Sequence, residues 1–317
     1  MSPRGERSMV PEAEFRSYYG RQILKTPTWK SPDVPLYLFL GGLAGASAVL
    51  AEGAALTGRA ELERVARLAA AGGATAGSAA LVHDLGRPER FLHMLRVLKP
   101  TSPLSVGSYI LAPFSALSGA AALSEVTGWF PRLGRLAGLG AAALGPPLAT
   151  YTAALIGNTA VPAWHEAHRE LPFIFVGSGA TAAGGLAMVL TRVDQAGPAR
   201  RMAVAGAALE IAAAELLLDR LGMVGEPYRT GGPGRLMSVS RTTTAVAAGA
   251  TLLLGRRSRV VSVLAGAACV TASVMTRFGI FEAGLASARD PKYTVVPQRQ
   301  RLAARERSAG RSRSQGP

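Results

Sequence analysis

Apolar runs of about 20 residues alternate along this chain with short charged islands. Each run has the length a helix needs to cross a hydrocarbon core. Read in order, they predict eight spans, at about 35–56, 65–85, 104–126, 136–159, 171–191, 202–221, 240–254 and 260–281. The dyad alternation and the many short strands of a β-barrel are not found. The expected fold class is therefore all-α: a polytopic membrane helix bundle of about eight transmembrane helices in two four-helix halves. Residues 1–33 read as a polar N-terminal arm, 34–160 as the first half, 161–290 as the second half and 291–317 as a basic tail. The tail is charged and rich in Ser and Gly, so it is expected to be disordered. The first apolar run is too long for the core of a signal peptide.

A faint internal repeat supports the two halves. VPLYLFLGGLAGA, opening the first span, resembles LPFIFVGSGATAAGG, opening the fifth. Asp84 and Asp219 close the second and sixth spans. Gly41 and Gly45, like Gly73 and Gly77, are four apart, which bares a helix face for close approach.

Net charge is +15. In a soluble chain this would raise nucleic acid as a partner. In a membrane protein, Lys and Arg hold loops against anionic lipid instead. The side carrying both termini has 23 Lys and Arg against 11 on the other. That bias predicts a multi-pass protein of the cell membrane with its termini in the cytoplasm. The single cysteine, Cys269, cannot form an internal disulfide or hold an iron–sulfur cluster, which needs about four ligands. Only His83 lies in a span, so the paired histidines that ligate a membrane haem are missing. No zinc motif, P-loop or nucleotide fingerprint is present, and no metal site is expected.

The candidate chemistry gathers in the stretch HDLGRPERFLHMLRVLKPTSPLS, residues 83–105, between the second and third spans. His83 and Arg87 are four apart and Asp84 and Arg87 three apart, so they share a face if the helix runs on. An imidazole, which exchanges protons near neutral pH, an acid and a guanidinium could relay protons there. Equally, Asp84 and Arg87 could pair to end the helix. Residues 89–98 read as a short interfacial helix, and Tyr18, Tyr19 and Trp29 suit the interface. In the fourth span Tyr151, Leu155 and Asn158 fall on one face. A phenol and an amide so aligned suit a ligand with two carbonyl oxygens, and Tyr151 as a core residue is the equal alternative. Glu52, Glu210, Glu215 and Arg277 are ionisable groups inside apolar runs, functional suspects for that reason. His165 and His168, beside Trp164, read as surface residues.

HDLGRPERFLHMLRVLKPTSPLSVGSYIL resembles the Leu-Gly-Arg-Pro and Ser-Pro-(Met/Leu)-Ser signature of the NrfD/PsrC family, the membrane subunits of polysulfide reductase and related complexes. YLFLGGLAGA resembles the family's first helix, and YTAALIGNTAVPAWHEAHRELPFIF its fourth-to-fifth helix region. The resemblance implies a haem-free subunit that reacts with quinone or menaquinone and contains no iron–sulfur cluster. It implies an iron–sulfur (4Fe-4S ferredoxin-like) partner and a molybdopterin catalytic subunit, formate dehydrogenase-like or polysulfide reductase-like. Tyr151 matches the tyrosine that reaches a quinone oxygen in the family. Tyr37, Asn158 and His83 would complete the quinone site, and His83, Asp84, Arg87 and Glu52 would carry protons. A secondary transporter, which also combines repeats with buried carboxylates, and a passive membrane anchor are the alternatives.

Overall fold

The computed structural model describes residues 23–85, 89 and 93–314. Eight long helices form the bundle: α1 (Asp33–Leu56), α2 (Ala60–Leu85), α3 (Pro103–Thr127), α4 (Pro131–Gly157), α6 (Leu171–Leu190), α7 (Gly197–Leu221), α8 (Gly231–Leu254) and α9 (Arg259–Arg289). A five-residue helix, α5 (Pro162–Glu166), links the halves, and a 3₁₀ segment, Gly222–Tyr228, links α7 to α8. No strand occurs among the described residues. Helices α1, α2, α3, α4, α6 and α9 are long and apolar enough to cross a membrane. Helices α7 and α8 have the length but are more polar. Arg200, Arg201, Glu210, Glu215, Asp219 and Arg220 lie on α7, and α8 is rich in Gly, Ser and Thr.

Local chemistry sets the helix ends. Ser102 caps α3 by accepting from the Ser105 amide, with Pro103 at the first helical position, where its missing N–H costs nothing. The Ser105 hydroxyl accepts from the Lys99 amide at 2.9 Å and donates to the Val97 carbonyl at 3.1 Å. The Ser-Pro-Leu-Ser run thus starts one helix and ties down the loop before it. Gly128 ends α3 in the left-handed conformation, φ 73°. Ser258 caps α9.

The halves pack alike. In each, the first helix lies against the second and the fourth, and the third against the fourth: α1 on α2 and α4 with α3 on α4, then α6 on α7 and α9 with α8 on α9. The halves meet where α1 and α6 run side by side. Gly42 and Gly179 each lie seven residues after the proline of their helix, Pro35 and Pro172, and they face each other. A methyl on Gly179 would sit 2.8 Å from the Gly42 carbonyl oxygen. The repeat legible in the sequence is therefore a contact between equivalent positions. Glycines also bring backbones together at α1–α4 (Gly45 and Gly145), α6–α7 (Gly177 and Gly206) and α6–α9 (Gly185 and Gly266).

The segment expected to be a disordered tail is helical: α10 spans Lys292–Ser314. Its Ala, Arg, Gln and Glu are strong helix formers. It is anchored by Lys292 to Glu226 at 2.9 Å and by Arg301 to Glu166 of α5 at 3.2 Å. Tyr18, Tyr19, Arg87 and residues 90–92 of the expected interfacial helix lie outside the described residues, and residues 94–98 of that stretch form turn and irregular loop rather than helix.

Gly45→Val places a branched side chain against the Gly145 backbone and is expected to destabilise the bundle by about 2–3 kcal/mol. Gly53→Val, on the same helix with open space around it, is expected to shift stability by under about 1 kcal/mol. Thermal unfolding in detergent compares them, and equal shifts would contradict the close-crossing account.

Candidate functional site

The eight helices alternate in direction, so the bundle has two chemically distinct ends. One end gathers the N-termini of α1, α3, α6 and α8 and the C-termini of α2, α4, α7 and α9. His83, Asp84, Tyr37, Tyr151 and Asn158 all lie toward this end. Glu52 lies toward the other, 19 positions along α1 from Asp33. At 1.5 Å per residue that is about 28 Å, close to the thickness of the hydrocarbon core.

At the first end, the His83 Nδ1 lies 2.7 Å from the Asp33 carboxylate, joining the end of α2 to the start of α1. The His83 side chain is 75% exposed, so it remains open to solvent or to a partner. The Asp84 carboxylate accepts from the Lys30 amide at 3.0 Å, which fixes the segment entering α1. The second half repeats the tie with different chemistry. Arg220, near the end of α7, donates to both carboxylate oxygens of Glu170 at 2.6 Å and also to the Glu166 carbonyl. Asp33 and Glu170 each stand two residues before the proline of their helix. The Arg220 guanidinium holds the Glu170 carboxyl below the usual carboxylate range. The corresponding partner in the first half is an imidazole, able to take up and release a proton.

Tyr37 and Tyr151 are buried in one core cluster, 4% and 7% exposed. They point to different neighbours. The Tyr37 ring lies toward Gly77 of α2, whereas the Tyr151 ring lies flat against Gly107 of α3, where any side chain would overlap it. The Tyr151 hydroxyl is buried and has no hydrogen-bond partner among the described residues. Asn158 shares no buried face with it: it stands at the C-cap of α4, exposed. Ile174, two residues after Pro172 as Tyr37 is after Pro35, lines a cavity of about 190 Å³ in the second half with Leu217, Tyr228 and Met237.

Trp164 organises the seam above. It is fully buried, donates from Nε1 to the Ile280 carbonyl at 2.8 Å, and stacks on Trp29 at 5.6 Å between ring centroids. Trp29, expected at the lipid interface, is instead half-buried against the second half. The adjacent His165 and His168 contact the Gly157 and His165 carbonyls, respectively.

Glu52 belongs to a cluster that sequence reasoning did not assemble. The Arg67 guanidinium, 8% exposed, sits 2.6 Å from Glu63, 2.9 Å from Glu125 and 3.7 Å from Glu52. The i, i+4 spacing of Glu63 and Arg67 was its only local signal. Glu52 therefore shares no site with His83 and Asp84.

A second polar network crosses the interior of the second half. The Thr276 hydroxyl donates to Glu210 at 2.6 Å and lies 2.6 Å from the Ser240 hydroxyl. Arg277, fully buried, donates to the Phe175 carbonyl at 2.7 Å, its guanidinium 3.7 Å above the Phe175 ring. Glu215 is apart from this network, exposed and paired with Arg241. Among the described residues, no group of His, Cys, Asp and Glu is arranged to hold a metal ion.

Arg67→Ala leaves three carboxylates clustered without their cation. It is expected to cost about 3 kcal/mol of stability, read as a fall in the unfolding midpoint in detergent. Arg67→Lys should recover part of it. An unchanged midpoint in Arg67→Ala would show that the cluster carries no stability.

Comparison with known proteins places this geometry. No curated protein matches the chain. The family profile described as polysulphide reductase, NrfD, matches residues 25–204, which is more than half of the chain and includes the whole first half. The chain belongs to the NrfD polysulphide reductase family, and is accordingly a multi-pass membrane subunit of a quinone-linked oxidoreductase.

Proposed function

We propose that the chain passes electrons between the membrane quinone pool and an iron–sulfur partner, with the quinone headgroup bound in the first half beside Tyr151. One observation carries this reading. The Tyr151 hydroxyl is buried, with no partner, inside the part of the chain that matches the family. A phenol left unpaired in a low-dielectric interior costs free energy. It is well suited to donate to a carbonyl oxygen that arrives with a ligand. A quinone brings two such oxygens on an apolar ring, and supplies two-electron, two-proton redox chemistry when bound.

The protein's own groups would position that ring and move its protons. Tyr151 donates to one oxygen. Tyr37, at the same end, packs its ring toward Gly77 of α2. His83 and Asp84 stand at the end of α2, and the exposed imidazole paired with Asp33 is the group suited to exchange a proton with solvent. Asn158, exposed beyond α4, and Glu52, at the far end, are left with no direct contact to the headgroup. The iron–sulfur subunit, and beyond it a molybdopterin subunit of formate dehydrogenase-like or polysulfide reductase-like type, would cover the His83 end.

Tyr151→Phe keeps the ring against Gly107 and removes only the hydroxyl. Quinol-dependent turnover of the assembled complex is expected to fall by about 10–100-fold, the worth of one hydrogen bond. Unchanged turnover with assembly intact would leave a passive anchor as the better reading. His83→Gln combined with Asp84→Asn is expected to slow turnover by about a hundredfold, while Glu52→Gln leaves the quinol step intact. If the double variant turns over normally, protons leave by another route.

A further inference from the structure

A basic concavity lies at the other end, between α7 and α8, and the quinone reading makes no use of it. Its volume is about 1030 Å³. Its rim carries Arg59, Arg192, Arg200, Arg201 and Arg256, against a single carboxylate, Asp194. Two of these arginines build the rim itself. Arg59 donates to the Asp194 carbonyl at 2.6 Å, and Arg200 to the Val193 carbonyl at 2.8 Å. The Arg59 Nε is buried without a partner among the described residues. Arg200 is within electrostatic reach of Arg59, Arg201 and Arg256, so the cluster repels itself. Arg201 and Arg256 are exposed and make no ion pair among the described residues. Such crowding of like charge is relieved by an anion.

Below the rim the wall changes character. Arg201, Ala205 and Ala208 follow one another at offsets of four and seven, so they share a face of α7. Ala205 and Ala208 are exposed, and Leu252 of α8, 64% exposed, stands opposite. This makes a shallow apolar channel, walled by small side chains, running from the arginines toward the middle of the bundle. A free phosphate would use the rim only. A molecule with an anionic head and an acyl chain would use both.

We propose that this pocket binds an anionic phospholipid, its phosphate held by Arg200, Arg201 and Arg256 and an acyl chain laid along Ala205 and Ala208. Basic pockets between membrane helices recognise lipid headgroups by this chemistry. The site is independent of electron transfer in the first half.

The test is native mass spectrometry of the detergent-solubilised protein titrated with phosphatidylglycerol, cardiolipin, phosphatidylcholine or inorganic phosphate. The wild-type chain is expected to bind the two anionic lipids about tenfold or more tightly than phosphatidylcholine. Arg201→Gln with Arg256→Gln should weaken that binding by about tenfold or more. Arg132→Gln with Arg135→Gln removes two exposed arginines from the same end of the other half, and should change it by less than about twofold. Equal losses in the two double variants would reduce the effect to general surface charge and overturn the proposal. Inorganic phosphate that binds as tightly as the lipids, or Ala205→Trp with Ala208→Trp leaving lipid affinity unchanged, would overturn it as well.

Discussion

The crossing of α1 and α6 is the constraint from which the rest of the bundle follows. In a bilayer, helices gain little from burying apolar surface against one another, because lipid is equally apolar. Association must come from close packing, and the closest packing needs backbones without side chains between them. Gly42 against Gly179 supplies this on the axis between the halves. Each of these helices then takes up its own second and fourth helix, α2 and α4 on one side, α7 and α9 on the other. Gly45 with Gly145, and Gly185 with Gly266, repeat the same device outward from the axis. The two central helices are accordingly the most buried of the candidate spans.

On this nearly symmetric frame the two halves differ at the end that carries His83 and Arg220. Each half closes its first two helices with an acid placed two residues before a proline. In the second half the acid meets Arg220, permanently charged and locked to two oxygens of Glu170. In the first half it meets His83, which can lose its proton and is largely exposed. Tyr37 stands where Ile174 stands in the other half. The second half thus closes this end of the bundle with a bidentate ion pair, and the first half closes it with an exposed imidazole on a carboxylate.

Much of this was legible in the sequence, because hydropathy and helix periodicity are local properties. The apolar runs located all eight long helices, including α7 and α8, whose polar residues blur the signal. The likeness of the segments that open the first and fifth spans announced the repeat. The pairing of distant side chains was less legible. Arg67 draws its carboxylates from α1, α2 and α3, and only Glu63 is near it in sequence. The resemblance groups Glu52 with His83 and Asp84 as proton carriers. The alternation of helix direction puts them a membrane's thickness apart. Asn158 shares a helical face with Tyr151 only while the helix continues, and α4 stops at Gly157. In the tail, charge and serine content point to disorder while the helix propensity of its Ala, Arg and Gln residues points to the helix Lys292–Ser314.

The contrast between the two ends rests on what the interior of a membrane does to unpaired polar groups. A helix satisfies its own backbone, so the groups left over are side chains, and each unpaired one is costly where water is excluded. The Arg67 cluster resolves this by bringing its own counter-charges. The Glu210 network resolves it in part, through Thr276, while leaving one Glu210 oxygen and two Arg277 nitrogens unpaired. Tyr151 and the arginines around Arg200 do not resolve it within the chain. The Tyr151 hydroxyl lacks an acceptor, and the arginine rim lacks an anion. The first is a single neutral donor on an apolar wall, which fits a carbonyl on a flat ring. The second is several cations above an apolar channel, which fits a phosphate on a chain. The same principle of incomplete satisfaction therefore underlies both proposals, a quinone at one end of the bundle and an anionic lipid at the other.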